Sequence, residues 1–312
     1  MENPYLDIAR VRAALRSLEL RPSRGMGQNF LTDRAALDAI VAAGEIAPSD
    51  TVVEVGPGLG VLTWELVRRA GRVVAVELDK RLAERLGQEF AAAPNLTIVQ
   101  SDVLRVTPGE LLKAEGGSGD DVASAPAGVT ADVQPSAFGP QPYKVVANLP
   151  YAITSPVLRH FLEAAVKPVM MTVLVQREVA ERIAAGPGDL SVLAHGVQLY
   201  AAPEVVARVP PESFVPAPAV ESAVLRLRVR ERPPVDVEDP EALMRVIKAG
   251  FLHARKQLGN ALPSGLAAMG MRVEKERVLA ALAAAGIEPT RRAETVTLAE
   301  WAGVYRVLSA ED

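Results

Sequence analysis

The strongest constraint on the fold of this chain is an alternation of β-branched runs and helical patterns over its first two-thirds. Five short runs predict strands: Thr51–Val55, Arg72–Glu77, Leu96–Gln100, Tyr143–Ala147 and Val169–Gln176. Their nearly continuous apolar character indicates strands covered on both faces, as in a mostly parallel sheet. Helices are predicted between them at Leu62–Arg69, Lys80–Ala92 and Pro156–Ala165, the last with Ser155 as its N-cap. This order predicts a doubly wound, Rossmann-like α/β sheet.

After residue 233 the pattern becomes helical throughout. Helices are predicted at Pro240–Leu262, Glu274–Ala285 and Leu298–Ser309, and Thr297 with Glu300 fits a capping box ahead of the last one. A chain of 312 residues suits one large domain and one smaller domain. We therefore predict a first domain over residues 1–232 and a small all-helical C-terminal domain over residues 233–312, with the boundary in the Pro- and Asp-rich stretch 231–240.

One segment interrupts the alternation in the first domain. Residues 115–140 are rich in Gly, Ser, Ala, Pro and Asp and have no usable period. Asp102 and Asn148 are also about twice as far apart as the strand ends at Gly56 and Glu77 or at Glu77 and Asp102. Removing roughly 25 residues restores the spacing of successive βα units. The segment is interpreted as a low-complexity surface insertion that is disordered or mobile.

The composition excludes several classes of site. Cysteine is absent, which excludes disulfides, cysteine-based zinc sites and cysteine nucleophiles. The histidines, His160, His195 and His253, are far apart and lack metal-ligand spacing, so no metal is expected. The N-terminus lacks the apolar stretch of a signal peptide, and no run approaches the roughly 18 apolar residues of a membrane span. We therefore expect a cytoplasmic protein with no membrane partner.

The charge balance argues against a general nucleic-acid binder but leaves room for local basic patches. The net charge is −4 and the isoelectric point is about 5.6, whereas phosphate contacts need clustered cations. Candidate patches are Arg10, Arg12, Arg16, Arg21 and Arg24, then Arg255–Lys256, then Arg291–Arg292. For each cluster taken alone, a solvated helix face or turn is an equally good interpretation.

A glycine-rich turn follows the first predicted strand of the sheet. Residues 54–60 read Glu-Val-Gly-Pro-Gly-Leu-Gly, which lets the backbone at Gly56 and Gly58 approach a ligand closely. Val61 stands where a nicotinamide enzyme would carry its third glycine, and the Gly-Lys-Ser/Thr of a phosphate-binding loop is absent. The shorter Gly-x-Gly-x-Gly after an acidic residue is the form seen in many methyltransferases. It points to S-adenosylmethionine as the cofactor.

Acidic residues end the next two predicted strands. Glu77 can accept both hydroxyls of a ribose, and Asp102 can accept a hydrogen bond from the adenine amine of a cofactor. A helix N-terminal acid is the alternative interpretation, and Asp79 fits it better than Glu77 does. For Asp102 a capping role stays open. Three successive strand ends that offer Gly, Glu and Asp favour a cofactor site, because ligands bind at the carboxyl ends of such strands.

The fourth strand ends in the tetrapeptide Asn148-Leu149-Pro150-Tyr151. The amine of adenine is a poor nucleophile because its lone pair is delocalised into the ring. The side-chain oxygen of Asn148 and the backbone carbonyl of Leu149 can accept hydrogen bonds from that amine, and Tyr151 can stack on the flipped base. No strong base is required, since alignment and electrostatics carry most of such a transfer. A plain proline-containing turn is the alternative.

With these residues in place, the chain resembles the ribosomal RNA small-subunit adenine dimethyltransferases over nearly its whole length, apart from the insertion. The matching segments are residues 27–31 (GQNFL), Gly56, Glu77, Asp102, Asn148–Tyr151, residues 210–218 (PPESFVPAP), residues 220–224, residues 251–262 (FLHARKQLGNAL) and residues 292–294. The resemblance implies that Asn29 and Leu31 contact the cofactor and that Phe214 packs against the target base. Without it, Phe214 is a lone aromatic residue between prolines.

The resemblance also implies a reaction and a partner. Methyl groups from S-adenosylmethionine would go onto N6 of two adjacent adenines in the 3′-terminal hairpin of 16S rRNA, during small-subunit biogenesis. We predict that the N-terminal arginines and the C-terminal helices contact the RNA backbone, and that the enzyme is a monomer. The long insertion and the low isoelectric point depart from the family pattern.

Three other functions stay open at this point. A large-subunit rRNA adenine methyltransferase of the antibiotic-resistance type shares the cofactor motifs. A DNA adenine methyltransferase shares the Asn-Pro-Tyr logic, although little chain is left for a target-recognition domain. A mainly non-catalytic assembly factor would need none of the residues Gly56, Glu77 and Asp102 at matching strand ends.

Overall fold

The computed structural model describes residues 3–20, 29–114 and 141–310 of the chain, which divides into two units. The first unit comprises Met1–Ala180 and Glu204–Glu231, and the second comprises Glu181–Pro203 and Arg232–Asp312. The boundary predicted after residue 232 therefore lies where the chain last passes between the units. Residues 181–203, however, group with the C-terminal helices rather than with the first domain as predicted. The predicted insertion at 115–140 lies outside the described residues.

The first unit is built on a seven-stranded sheet. The strands of the chain are β1 (Phe30–Leu31), β2 (Thr51–Val55), β3 (Arg72–Glu77), β4 (Leu96–Gln100), β5 (Tyr143–Asn148), β6 (Met170–Gln176), β7 (Ala201–Val209), β8 (Phe214–Val215) and β9 (Ser222–Val229). The sheet order is β4-β3-β2-β5-β6-β9-β7. The first five of these strands in sheet order are mutually parallel, as the sequence predicts. All five predicted strands are present within one residue of their predicted bounds.

The β6 side of this sheet is extended by antiparallel pairing. β9 runs antiparallel to β6, with Ser222 opposite Gln176 at the carboxyl end of β6. β1 and β8 form a separate antiparallel pair, in which Leu31 lies opposite Phe214. The alternation of strands and helices in the sequence did not predict β1, β7, β8 or β9. β1 and β8 lie far apart in the sequence, and only the tertiary fold brings them together.

The helices lie between the strands of the alternating pattern. They are α1 (Ile8–Ser17), α2 (Arg34–Ala43), α3 (Val61–Val67), α4 (Lys80–Glu89), α5 (Pro108–Lys113), α6 (Thr154–Leu162) and α7 (Arg177–Ile183). The prediction that Ser155 caps α6 is wrong, because α6 begins at Thr154 and continues a 3-10 turn over Tyr151–Ile153. Pro156 is tolerated there because the backbone N–H groups of a first turn need no helical partner.

Apolar residues fill the space between the sheet and its helices. Val52, Val73, Ala75 and Val146 are fully buried in one cluster, together with Leu37 of α2. Full burial of an aliphatic side chain of this size contributes about 1.5–3 kcal/mol relative to exposure. The strand residues on the opposite face of the sheet are also fully buried: Val53, Val74 and Val145. The parallel strands are therefore covered on both faces, and the loops at their carboxyl ends start from fixed positions.

The second unit is helical around its own core. Its helices are α8 (Val192–Gln198), α9 (Pro240–Phe251), α10 (Leu258–Ala268), α11 (Lys275–Ala284) and α12 (Leu298–Ser309). The single helix predicted over 240–262 is wrong: it is two helices, separated by a turn in which Leu252, His253 and Arg255 are exposed. The backbones of α9 and α10 come very close, since a Cβ at Gly265 would lie 1.9 Å from the Ala249 carbonyl oxygen.

The last helix begins as predicted. The Thr297 side chain accepts from the Glu300 N–H, and the Glu300 carboxylate accepts from the Thr297 N–H at 2.7 Å. Both halves of the capping box are thus present. Trp301, one residue further on, is fully buried in the core of this unit.

Candidate active site

A cavity of about 630 Å³ lies at the carboxyl ends of β2, β3, β4 and β5. This is where open α/β sheets bind ligands, and the volume lies within the range of small-molecule sites. The sequence-predicted residues that line it are Asn29, Leu31, Gly56, Gly58, Glu77, Asp102, Asn148, Leu149, Pro150 and Tyr151. The structure therefore brings all the predicted site residues except Phe214 to one cavity wall.

The glycine turn has a backbone that other residues would strain. Gly56 and Gly58 have φ values of +67° and +57°, in the left-handed region that favours glycine. The Gly56 N–H donates to the Val76 carbonyl at 2.9 Å, which ties the turn to β3. A Cβ on Gly58 would lie 3.2 Å from a ring carbon of Phe30. The absence of side chains here keeps backbone, rather than Cβ atoms, at the cavity wall.

Glu77 is held by backbone donors on both carboxylate oxygens. One oxygen accepts from the Gly58 N–H at 3.1 Å, and the other accepts from the Asp79 N–H at 2.9 Å. The side chain is 94% buried, and this burial raises the pKa of Glu77, while the backbone N–H groups oppose the rise. The carboxylate therefore has a fixed position between the glycine turn and the end of β3.

Asp79 and Asp102, which follow β3 and β4, act as helix caps. Asp79 accepts from the Arg81 N–H at 2.9 Å and begins α4, which confirms the capping interpretation for this residue. Asp102 accepts from the Leu104 N–H at 3.0 Å and begins the 3-10 turn Val103–Arg105. Asp102 also lines the cavity, so the capping role and a ligand-binding role are compatible for this residue.

The amide of Asn148 is oriented by a long-range hydrogen bond. Its Nδ2 donates to the backbone carbonyl of Asn29 at 3.1 Å. Only the nitrogen of the amide can donate to a carbonyl, so this contact fixes which side of the amide is the oxygen. Asn148 Oδ1 is therefore left as an acceptor on a residue that lines the cavity. The residue that fixes it, Asn29, is in the segment before β1.

The rest of the tetrapeptide forms a rigid turn. The Leu149 N–H donates to the Leu174 carbonyl on β6 at 3.1 Å, and the Pro150 carbonyl accepts from the Ile153 N–H at 3.1 Å. Tyr151 is half-buried, and its hydroxyl lies 2.7 Å from Ser222 Oγ at the start of β9. Burial raises the pKa of Tyr151, which keeps the phenol neutral. The turn that carries Tyr151 is therefore attached to the sheet at two residues, Leu174 on β6 and Ser222 on β9.

Phe214 does not line this cavity. Its side chain is 97% buried in the core of the first unit, and its backbone lies opposite Leu31 in the β1–β8 pair. The Thr32 N–H donates to the Ser213 carbonyl at 2.8 Å beside it. Phe214 is therefore the one predicted site residue that the structure does not bring to the cavity wall, and its contact with a target base stays a prediction. Its segment pairs with the strand that carries Leu31, which does line the cavity.

Two further residues line the cavity wall, although the sequence analysis gave neither a role: Glu54, noted only as the acid before the glycine turn, and Tyr5. Glu54 is 99% buried, and its carboxyl accepts from the Thr63 hydroxyl at 2.7 Å. Burial raises the pKa of Glu54 to about 8; the Thr63 hydrogen bond opposes the rise and nearby Glu77 adds to it. Its signal was one acid inside an otherwise apolar strand. Tyr5, which stacks on Phe90 with ring centroids 6.0 Å apart, also lines the cavity, and no local pattern pointed to it.

The predicted basic patches differ in how their charges are engaged. The Arg10 guanidinium lies 5.2 Å from the centroid of the Tyr5 ring, and Arg21 and Arg24 lie outside the described residues. In the second unit, Arg291 pairs with Glu300 and donates to the Thr295 carbonyl at 2.6 Å. That side chain supports its own unit. Arg255 and Lys256 are exposed.

A second depression of about 730 Å³ runs along α6, beside the start of α5. Its charged residues engage one another or the backbone: Arg159 donates to Glu163 at 3.1 Å, and His160 Nε2 lies 3.0 Å from the Val106 carbonyl oxygen. The strand-end acceptors belong to the first cavity and not to this depression. We therefore assign the chemistry to the cavity at the strand ends.

The described part of the chain holds neither a metal-binding cluster nor a membrane-spanning helix. Within residues 3–20, 29–114 and 141–310, no group of three or more His, Asp or Glu side chains is arranged to hold a metal ion. None of the helices in that part of the chain is long and apolar enough to cross a membrane.

The sheet order, the glycine turn and the strand-end acceptors define a class I methyltransferase that uses S-adenosylmethionine. Residues 21–308 match the family described as "Ribosomal RNA adenine dimethylase". The chain belongs to this family, and it is an S-adenosylmethionine-dependent rRNA adenine dimethyltransferase.

Curated relatives agree with this assignment. "Ribosomal RNA small subunit methyltransferase A" of Dehalococcoides mccartyi (strain 195) is 42% identical over 94% of this chain and 91% of its own length. The protein of the same name from Moorella thermoacetica is 41% identical over 96% of both chains. The similarity therefore covers both units and not only the cofactor motifs.

Solved structures share the fold. The crystal structure of the 23S rRNA methyltransferase ErmE is 27% identical with a TM-score of 0.65, over 90% of this chain and all of that chain. A dimethyladenosine transferase from Plasmodium falciparum has a TM-score of 0.67 over 88% of this chain and 95% of its own, at 22% identity, which supports the fold alone.

Proposed function

We propose that this enzyme methylates N6 of two adjacent adenines in the 3′-terminal hairpin of 16S rRNA, within the small ribosomal subunit or its precursor. It acts there as a monomer, in the cytoplasm. The names of the curated relatives support the choice of the small subunit, because their similarity runs through both units of the chain. The residue roles proposed below rest on the geometry of the cavity.

The observation that carries the chemistry is the orientation of Asn148. Its Nδ2 donates to the Asn29 carbonyl, so Oδ1 is available to accept a hydrogen bond from the target amine. With the Leu149 carbonyl as a second acceptor, both N–H groups of the amine have partners on one side. This draws the nitrogen towards a tetrahedral geometry and directs its lone pair away from the acceptors. Preorganised acceptors need no reorganisation during the reaction, which favours the transition state.

The cavity wall fits S-adenosylmethionine. Glu77 presents a buried carboxylate, held by two backbone N–H groups, for a ribose. Asp102 presents a partly exposed carboxylate, which also caps the following turn, for an adenine amine. Gly56 and Gly58 leave backbone at the wall where side chains would fill the space, and Asn29, Leu31 and Asn148 complete the set. When bound, the cofactor supplies an electrophilic methyl group on a sulfonium. The chain's task is then to align the amine with that methyl group and to exclude water.

Stacking holds the target base in place. Tyr151 lies next to the acceptors in sequence and lines the same cavity, and Pro150 stiffens the turn between them. A base taken out of its helix needs an aromatic or apolar surface to replace the lost stacking. Base stacking on an aromatic side chain contributes about 1–3 kcal/mol. Phe214 would join this contact only if the β1–β8 pair moved, since its ring is buried.

Exposed cations of the second unit bind the phosphates of the RNA backbone. Arg255 and Lys256 are exposed cations on the turn between α9 and α10. Replacing both by Ala should weaken subunit binding and reduce its salt dependence, because fewer phosphate counterions are released. Arg291 is a poorer candidate, since it is bound within its own unit. An unchanged salt slope for the double variant would argue against this RNA contact.

A large-subunit target is the second candidate. The likeness to the 23S rRNA methyltransferase ErmE over 90% of this chain favours it. The test is methyl transfer from labelled S-adenosylmethionine to under-methylated small subunits, with large subunits and duplex DNA in parallel. Dimethyladenine in the small subunit alone supports the proposal, whereas label in 23S rRNA would replace it with the second candidate. Cofactor binding without any label would favour a mainly non-catalytic assembly factor.

A further inference from the structure

Ser222 lies at the carboxyl end of the sheet, next to the catalytic turn. It begins β9 and pairs in register with Gln176, the last residue of β6. Its side chain is completely buried, and its Oγ lies 2.7 Å from the Tyr151 hydroxyl oxygen. The two residues are 71 positions apart in the sequence. No motif assigned to the cofactor or to the target base includes this serine.

We propose that Ser222 is a positioning residue for methyl transfer, which sets the orientation of the Tyr151 ring through their hydroxyl–hydroxyl hydrogen bond. The inference rests on the proposed role of Tyr151 against the target base. It adds a determinant from β9, a strand that makes no other contribution to the proposed chemistry.

The local geometry explains why such a tether is needed. Tyr151 is the first residue of the 3-10 turn, and its side chain is only half-buried, so packing alone leaves part of the ring without contacts. The antiparallel pairing of β6 and β9 fixes the Ser222 backbone. Only rotation about χ1 can then move the Ser222 Oγ atom. A buried hydroxyl also needs a partner, so each of the two hydroxyls satisfies the other. Loss of either one frees the ring and leaves a polar atom unpaired.

The test is a double-mutant cycle with Ser222→Ala, Tyr151→Phe and the combined variant. Tyr151→Phe keeps the stacking ring and removes only the tether. A net hydrogen bond of ordinary strength predicts that each single change lowers kcat about three- to tenfold. The combined variant should lose no more than either single variant, because both remove the same contact. The dissociation constant for S-adenosylmethionine, measured by calorimetry, should change less than about twofold in all three.

Two further variants separate positioning from simple packing. Ser222→Thr keeps a hydroxyl on a strand and should restore kcat to within about twofold of the wild type. Thr172→Val removes another fully buried hydroxyl, on β6, which has no hydrogen-bond partner among the described residues. It should leave kcat unchanged. Thermal unfolding of every variant then shows whether a loss of kcat follows a loss of stability.

The cycle is run on whichever rRNA the wild-type enzyme methylates, so a wrong choice of subunit does not affect it. Full activity of Ser222→Ala overturns the inference, as does a combined variant whose loss equals the product of the single losses. A loss of kcat that Ser222→Thr fails to restore, together with an equal loss in Thr172→Val, also overturns it. Coupled losses of kcat with intact cofactor binding support it.

Discussion

Polar side chains of the cavity wall have hydrogen-bond partners, whereas two buried polar side chains in the core of the helical unit have none among the described residues. Glu77 has two backbone donors, Asn148 has the Asn29 carbonyl, and Tyr151 has Ser222. In the second unit, His195 and Trp301 are fully buried, and their ring nitrogens have no hydrogen-bond partner among the described residues.

The difference separates preorganisation from space filling. A polar group that is hydrogen-bonded to a partner keeps one orientation. Its remaining donor or acceptor can then be directed at a ligand. A buried polar group without a partner costs free energy and directs nothing. His195 packs edge-to-face on Phe251 with ring centroids 5.7 Å apart, so it serves as a ring in an apolar core. The comparison therefore predicts that changes in the cavity affect catalysis and that changes in the helical core affect stability.

The largest effect is expected at Asn148. Asn148→Ala removes the oriented acceptor and should lower kcat on the order of 100- to 1000-fold, the usual cost of losing one preorganised polar contact to a transition state. Thermal unfolding should change little, since the residue is only partly buried. Single-turnover assays with bound cofactor measure the loss. A variant with full activity would remove Asn148 from the mechanism.

His195 gives the next largest effect, on stability and not on catalysis. Burial lowers the pKa of His195 to about 4 from its ordinary value of 6.5. Between these values the unfolded chain binds a proton that the folded chain does not, so stability falls as the pH drops from about 7 towards 4. The total loss is about 3 kcal/mol. His195→Leu should abolish this part of the pH dependence.

Hydrogen exchange of the α8 and α9 amides at pH 5 and pH 7 measures this prediction within the second unit. His253→Leu is the matched control, because His253 is exposed and its replacement should leave the pH dependence in place. If the His195→Leu protein kept the same loss of protection at pH 5, the buried imidazole would not be its source.

A smaller effect is expected at Glu77. Glu77→Gln keeps the shape of the side chain and removes the charge, and should weaken S-adenosylmethionine binding about tenfold, as for a lost charge-assisted hydrogen bond. Calorimetry measures the affinity. Asp79→Asn is the control: asparagine still caps α4, so affinity should change less than about twofold. Equal weakening in both variants would indicate a general effect of charge.

The smallest effect is expected at Thr297, a partnered polar residue outside the cavity. Thr297→Ala breaks the capping box of α12 and should lower stability by about 1 kcal/mol. Urea unfolding measures the loss, followed by the fluorescence of Trp301 in a Trp64→Phe background, since Trp64 lies in the first unit. Catalysis by the folded enzyme should not change. A loss of kcat in this variant would break the division between the two regions.

Much of the site was predictable because its residues follow strands whose ends are local features of the sequence. The glycine turn, Glu77, Asp102 and the tetrapeptide each come directly after an apolar run. Tyr5 and Ser222 were not predicted as site residues, and Glu54 was noted only as the acid before the glycine turn. Tyr5 and Ser222 contact the cavity residues only through packing of distant segments, and Glu54 is a buried acid whose partner, Thr63, lies on the following helix.

The errors have the same origin. Apolar spacing predicted one helix over 240–262, but α9 and α10 pack against each other at Gly265, which requires a turn between them. Residues 181–203 belong to the helical unit although they follow the strand pattern of the first, because their apolar side chains join the other core. The place of Phe214 away from the cavity wall was likewise not visible from its motif, because Phe214 lies opposite Leu31 in the pairing of two distant segments.

The sequence by itself determined the parallel strands, the cofactor class and the acceptors at the strand ends, since alternation and strand ends are encoded within short stretches of chain. Only the tertiary structure decided the orientation of Asn148, the tether on Tyr151, the position of Phe214 and the membership of residues 181–203. Each of these depends on a contact between residues far apart in the sequence, and such a contact exists only once the backbone has closed the loop between them.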